Sequence, residues 1–289
     1  MQRNTFRVMS SSSSHSRQTG KNMDELFITT SKPAIEAEPK ISVIMMLYNG
    51  RTHLLKRAVQ SVLDQTYKNW ELILQDDCST DGTFEMAVGF ALLHKRIKIF
   101  RNKINLGIVK NRAAAFRNTT GDLICHVDND DFIYPHALET MVKEFRDYPD
   151  IGLAYSDMAY VDKDGLPTSY LVNRNHGQPL AWYGWRHLGM YRRTAYNQTE
   201  GFNEKLAHAC EDGDLFVQIA EKFPFRKVPQ VLYAFNNDGG SHEGSKRPEC
   251  KDCPSIGDCN FIRVFASGLS DLKQKVVWQK QIEEAKNNG

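Results

Sequence analysis

The sequence predicts an α/β protein on a mainly parallel, doubly wound sheet, followed by a less regular second half. Three observations carry that expectation. Short apolar runs alternate with helical periodicities between Ile41 and Val127, the pattern of strands joined by right-handed helical crossovers. The first of them, Ile41–Leu47, is the short continuous apolar run of a strand covered on both faces. Tyr48, Asp77 and Asp128 each fall just beyond the end of such a run, where open sheets of this kind bind their ligands.

Residues 1–39 are polar, with five consecutive serines at Ser10–Ser14 and prolines at Pro33 and Pro39. Such a stretch buries too little apolar surface to offset its ordering entropy and reads as a disordered leader. Ile41–Leu47 (ISVIMML) reads as the first strand, and Tyr48-Asn49-Gly50 breaks it. Leu54, Leu55, Ala58, Val59, Val62 and Leu63 recur at helical spacing. Trp70–Leu74 is the second strand, ending in Gln75-Asp76-Asp77; Phe84–Leu93 reads as a helix and Ile97–Arg101 as the third strand. Lys110–Asn118 is helical, and Leu123–Val127 is a fourth strand that leads directly into Asp128. Beyond Asp131 the alternation loosens. Pro135–Tyr148 reads as a helix, Ile151–Asp157 as a strand, Asp212–Lys222 as a helix and Val228–Phe235 as a strand. Residues 158–205 are rich in turn formers and aromatics, among them Trp182, Tyr183, Trp185 and Tyr191. A Gly-, Asn- and Cys-containing loop fills 236–260, and 261–289 holds an amphipathic helix over Phe261–Lys286.

Hydrophobic residues make up 41% and charged residues 25%, with a formal net charge of +2. That balance is ordinary for a globular protein and asks for no polyanionic partner such as nucleic acid. No apolar run is long enough for a transmembrane segment. The N-terminus also lacks the apolar core of an export signal, so a cytoplasmic protein is expected. Cys210, Cys250, Cys253 and Cys259 therefore read as reduced thiols or metal ligands rather than a disulfide framework. The pair Cys250 and Cys253, followed by Cys259 and with His242 as the nearest fourth ligand, has the spacing of a tetrahedral structural Zn²⁺ site. A metal-free loop or a redox disulfide fits the same residues.

Asp128-Asn129-Asp130-Asp131 sets three carboxylates within four residues at a strand end. Like charges this close call for neutralisation, and a hard divalent cation with oxygen ligands supplies it. A solvated acidic turn is the alternative. Glu211-Asp212-Gly213-Asp214 stands just before a helical pattern. Acids there either favour the positive end of a helix or provide a general base.

Four motifs in order resemble the family-2, inverting glycosyltransferases of the GT-A fold. They are ISVIMMLYNG (Ile41–Gly50), SVLDQTYKNWELILQDDCSTDGT (Ser61–Thr83), NLGIVKNRAAAF (Asn105–Phe116) and GDLICHVDNDD (Gly121–Asp131). The resemblance implies a nucleotide-sugar-binding half over 40–132 and an acceptor-binding half over 133–235. It implies that Tyr48 lies against the nucleotide base, that Asp77 accepts from the imino N–H of uracil or thymine, and that Arg112 faces the donor. Asp128, Asp130 and Asp131 match the DxD-type signature. Asp130 is then the chief ligand of Mn²⁺ or Mg²⁺, with Asp128 and Asp131 near the ribose, the sugar or the metal's waters. Glu211-Asp212 matches the family's ED pair, with Asp212 as catalytic base and Asp214 or His208 as fallbacks. Ser79, Asp81 and Gly82 read as turn formers.

The implied reaction moves a sugar from a UDP- or dTDP-sugar to a hydroxyl of a glycan or other acceptor, inverting the anomeric centre. The Gln-x-x-Arg-Trp segment of processive synthases is absent from the sequence, which points to single transfers. Two other readings remain. A nucleotidyltransferase on a related sheet would carry a Gly-rich basic loop where Tyr48-Asn49-Gly50-Arg51 stands. A non-catalytic sugar- or protein-binding module would not need Asp77, Asp128, Asp130 and Asp212 together.

Overall fold

Ile41–Leu47, apolar except for Ser42, forms β1 at the middle of the parallel part of the sheet. In the computed structural model, which describes residues 38–171, 187–204 and 211–236, β1 pairs with β2 (Trp70–Asp76) on one side and with β4 (Leu123–His126) on the other. β3 (Ile97–Arg101) adds beyond β2, and all four strands run parallel. Their crossovers are α1 (Thr52–Leu63), α2 (Thr83–Leu93) and α3 (Ile108–Arg117). The described residues all belong to the unit Pro33–Gly289.

The second half adds β5 (Phe132–Ile133), α4 (Ala137–Asp147), β6 (Leu153–Val161), β7 (Pro167–Leu171), β8 (Gly189–Arg192), α5 (Arg193–Tyr196), α6 (Glu211–Ala220) and β9 (Phe225–Asn236). Sheet order is β3-β2-β1-β4-β8-β6-β9-β5, with β7 beside β6. β8 is antiparallel to both β4 and β6, so it stitches the two halves into one mixed sheet. β6 and β9 return to the parallel sense.

Strand alternation divides the core between the two faces. Val43, Met45 and Leu47 pack with Leu55, Val59 and Val62 of α1 and Leu138, Met141 and Phe145 of α4. Ile44, Ile124, Leu153 and Tyr191 pack with Val109 and Phe116 of α3 and Leu215, Phe216 and Ile219 of α6. Helices therefore cover both faces, as the apolar run Ile41–Leu47 predicted. Among the described residues no helix is long and apolar enough to cross a membrane.

The strand ends remote from Asp128 are pinned by Glu71. Its Oε1 accepts from the Ser42 hydroxyl (2.7 Å) and from the backbone N–H and hydroxyl of Thr120 (2.6 and 2.8 Å). Its Oε2 takes the Lys40 and Lys98 ammonium groups at 2.9 and 2.8 Å. Burial alone would raise this carboxyl, but the bonds from Lys98, Ser42, Lys40 and Thr120 outweigh it and hold the group well below the usual carboxylate range. Beside them Gly121 allows close backbone approach: a Cβ there would lie 2.6 Å from the Ser42 nitrogen.

Most expected elements form with shifted ends. β2 runs on to Asp76, β6 to Val161, and β9 covers Phe225–Asn236. β5, β7, β8 and α5 were not anticipated. Of the leader 1–39, residues 1–37 lie outside the described residues. Pro39 and Glu38 are tied to the fold by Tyr67, whose hydroxyl donates to the Pro39 carbonyl (2.5 Å), and by Arg146, which pairs with Glu38 (2.8 Å). Asn236 completes β9, and the rest of the 236–260 loop and the 261–289 helix lie outside the described residues.

Candidate functional site

The loops after β1 and β2 brace each other. Asn49 (φ 46°) and Cys78 (φ 65°) both take left-handed backbone, sparsely populated by residues other than glycine. The Asn49 N–H donates to the Ser79 hydroxyl (3.0 Å), and Asn49 Oδ1 accepts from the Thr80 N–H (2.9 Å). Asp76 caps this turn through the Ser79 N–H (3.0 Å) and pairs with Arg101 (3.2 Å), while Asp81 accepts from the Thr83 N–H (3.1 Å). Tyr48 stands at the rim, 51% exposed, so its ring is open to stacking.

Asp77 is buried and holds the next loop. Its Oδ1 accepts from Asn102 Nδ2 (2.7 Å) and the Leu106 N–H (2.8 Å), and its Oδ2 from the Gly107 N–H (2.9 Å). Gly107 reaches that bond with φ at 80°, a backbone state that glycine adopts without strain. Three of the roughly four acceptor positions of a carboxylate are thus filled, leaving one on Oδ2.

β4 delivers the carboxylate corner. Asp131 is 1% exposed. Its Oδ2 accepts from the Tyr233 hydroxyl (2.6 Å) and its Oδ1 from the Asn236 N–H (2.8 Å). The same Tyr233 oxygen accepts from the Asp128 N–H (3.2 Å), so β9 fixes both ends of the turn. Asp128 is partly exposed and lies 3.7 Å from His187 Nε2; the His187 ring stacks on Tyr233 at a centroid distance of 4.5 Å.

Burial first, then the charges of Asp128 and Asp130, push the Asp131 carboxyl well above the usual carboxylate range; the bonds from Tyr233 and Asn236 only partly offset this. Asp128, Asp131 and His187 each present one ligand atom, all within 4.8 Å of one another. Two carboxylates, one of them held at an electrostatic cost, and an imidazole form a donor set that fits a divalent cation such as Mn²⁺. Asp130, expected as chief ligand, lies outside that trio; its backbone carbonyl accepts from Arg57 (3.4 Å).

Arg112 joins this corner to α6. The residue is 2% exposed. Nη2 lies 3.1 Å from Glu211 and 3.9 Å from Asp128, and Nη1 lies 3.0 Å from His126 Nδ1. Arginine only donates, so Nδ1 is the bare ring nitrogen. Nε2 then carries the proton and donates to the Tyr191 hydroxyl at 3.0 Å. Burial first, then Arg112 and His187, hold His126 well below the usual imidazole range, in keeping with a neutral ring. Burial would lower Arg112, but Glu211, Asp212 and Asp128 outweigh it, so the cation persists. Burial raises Glu211, and Arg112 offsets only part of that.

Asp212, beside Glu211 in the first turn of α6, is half-buried, and its Oδ1 accepts from the Gly213 N–H (2.7 Å). Asp214 is fully buried and accepts from Gln218 Nε2 (2.8 Å), which fits a structural acid better than a base. His208, Trp182, Tyr183, Trp185, Cys210, His242, Cys250, Cys253 and Cys259 lie outside the described residues, and with them the zinc expectation. The structure thus brings Asp128, Asp131, Arg112 and Glu211 together, with Tyr48 and Asp77 on the neighbouring loops. Sequence reasoning missed His187, Tyr233 and Asn236. No local signal marks them, because the pairing of β8 and β9 that brings them to the end of β4 is set by residues distant in sequence.

Residues 42–208 match the family model described as Glycosyl transferase family 2. EpsE of Bacillus subtilis is 32% identical over 209 residues, which cover 69% of this chain and 74% of EpsE. Chondroitin synthase of Escherichia coli is 29% identical over 202 residues, 68% of this chain; the chain spans 28% of that longer protein. Among solved structures, S. aureus TarS 1–349 in complex with UDP-GlcNAc superimposes with a TM-score of 0.65 at 21% identity, covering 82% of this chain and 69% of that one. The mannosyltransferase PcManGT from Pyrobaculum calidifontis, in complex with GDP-Man and Mn²⁺, gives 0.56 at 17%, covering 87% and 76%. These likenesses show the GT-A fold.

Proposed function

This chain belongs to glycosyl transferase family 2 as an enzyme taking its sugar from a nucleotide-sugar donor, and we propose that it carries out single, inverting transfers from a UDP- or dTDP-sugar to a hydroxyl of a glycan or other acceptor. The observation that carries the reading is the meeting of two carboxylate groups at one guanidinium: Asp128 of the cation corner and Glu211, next to Asp212, both approach Arg112 Nη2.

Each residue then has a task. The Tyr48 ring stacks on the base, and the remaining acceptor position of Asp77 receives its imino N–H. Asp128, Asp131 and His187 would hold Mn²⁺ or Mg²⁺, and Asp130 would lie beside the ribose or the sugar. When bound, the cation acts as a Lewis acid that steadies the charge of the departing diphosphate. Asp212 takes the proton of the acceptor hydroxyl as its oxygen bonds to the anomeric carbon. The carbon–oxygen bond to the phosphate breaks in the same displacement, and the nucleoside diphosphate leaves with the electron pair. Arg112 is too deeply buried to meet the diphosphate directly; its charge orients Glu211 and Asp128. TarS in complex with UDP-GlcNAc and PcManGT in complex with GDP-Man and Mn²⁺ share this fold, and make UDP-GlcNAc a first donor to assay.

The base assignment is tested with Asp212→Asn. Turnover should fall by about a thousandfold or more, on the scale of removing a general base together with its charge. UDP binding in Mn²⁺, followed by calorimetry, should be unchanged. Normal turnover in this variant would move the base elsewhere.

A further inference from the structure

His126 ends β4, two residues before Asp128, and is 5% exposed. It is not in the trio that converges as a cation site. Both ring nitrogens are nonetheless engaged, Nδ1 by Arg112 and Nε2 by Tyr191. The result is a buried chain across four elements: Tyr191 of β8, His126 of β4, Arg112 of α3 and Glu211 of α6.

The need for such a chain follows from the guanidinium. It carries five N–H groups in a fixed plane and must find acceptors for them once buried. Arg112 Nε already has no partner among the described residues. Removing the acceptor at Nη1 would leave a second buried donor unpaired, a costly state that the side chain relieves by turning. A turn of the planar fork moves Nη2 as well, and Nη2 is the atom that meets Glu211 and Asp128.

We propose that His126 is a positioning residue for transfer: it fixes the Arg112 guanidinium, and through it Glu211, the adjacent Asp212 and Asp128, in the arrangement the reaction needs. Tyr191 is the outer member, whose hydroxyl accepts from Nε2–H and so supports the tautomer that Arg112 requires. The inference rests on the reading of Asp212 as the base.

The test uses the full-length chain with Mn²⁺. UDP release from UDP-N-acetylglucosamine gives kcat and KM, calorimetry gives UDP affinity, and thermal unfolding gives stability. His126→Leu fills the space but accepts nothing. His126→Asn returns an oxygen acceptor close to the position of Nδ1. The leucine variant should lose about tenfold to a hundredfold in kcat, the range seen when a partner behind a functional residue is removed. UDP affinity should stay within about threefold of the parent, since Asp128 meets Arg112 only at 3.9 Å and the other cation-site groups, Asp131 and His187, are held by Tyr233. The asparagine variant should recover most of the loss. Parental kcat in His126→Leu, or equal impairment of both variants, would overturn the proposal. Should the leucine variant not fold, Tyr191→Phe decides: a several-fold fall in kcat at parental UDP affinity supports the chain, and parental kcat overturns it. Asp212→Asn assayed alongside separates the two readings. Full turnover there removes the base assignment, whereas the leucine–asparagine comparison still decides the role of His126.

Discussion

Tyr233 carries more of the carboxylate corner than any acid in it. Its hydroxyl donates to Asp131 Oδ2 and accepts from the Asp128 N–H, while its ring supports His187. Tyr233→Phe keeps the ring and removes both bonds. The Asp131 carboxyl then loses a bond that favours its ionised form, and the turn loses its tie to β9. Mn²⁺-dependent UDP affinity should fall by about tenfold to a hundredfold, measured by calorimetry, with the stacked His187 still present; an unchanged affinity would remove Tyr233 from the site. The acids themselves were legible because Asp77, Asp128 and Asp131 follow apolar runs, and position relative to a strand end is local information. Tyr233 and His187 are more than 50 residues away in sequence, and no spacing rule connects them to Asp131. Arg112 was visible as a residue but not as a buried one. The sequence reading therefore set it against the donor, where the structure sets it against Glu211.

At the level of elements, the parallel half was legible and the antiparallel additions were not. β1 and β4 are short, largely apolar runs buried on both faces, and β3 alternates apolar and charged residues at the sheet edge. β5 is two residues long, and β7 (Pro167–Leu171) is polar and at the sheet's margin. β8 is four residues long within an aromatic stretch that has no period. Their pairing is set by neighbours distant in sequence, which overrides local preference. The Glu71 cluster shows what a buried charge does for the remote strand ends. Glu71→Gln leaves Lys40 and Lys98 without their carboxylate and should cost about 2–3 kcal/mol at neutral pH, the scale of hydrogen bonds to a charged group. Because the folded-state carboxyl is held low, its contribution is complete above the unfolded value near 4.3 and is lost progressively as pH falls below it. Urea unfolding at pH 7 and at about pH 3 should therefore show a gap between parent and variant that narrows on acidification. A gap independent of pH would assign the loss to packing alone.

On the scale of the molecule, the sheet divides the work and β8 joins it. The parallel strands bring Tyr48, Asp77 and the Asp128–Asp131 turn to one end, and the mixed strands bring Tyr233, Asn236 and the segment of His187 to the same end. α3 and α6 pack together on one face, and there Arg112 and Glu211 pair. The cation reading of that geometry makes a single demand: UDP should bind far more tightly when Asp128, Asp131 and His187 can hold a divalent cation. Calorimetric titration of UDP into the full-length chain, with Mn²⁺ and then with chelator, tests the demand most directly, with Asp131→Asn and His187→Ala as companions. Affinity should fall by about a hundredfold or more without the metal and in Asp131→Asn, with a smaller loss in His187→Ala. Equal affinity with and without Mn²⁺ would contradict it.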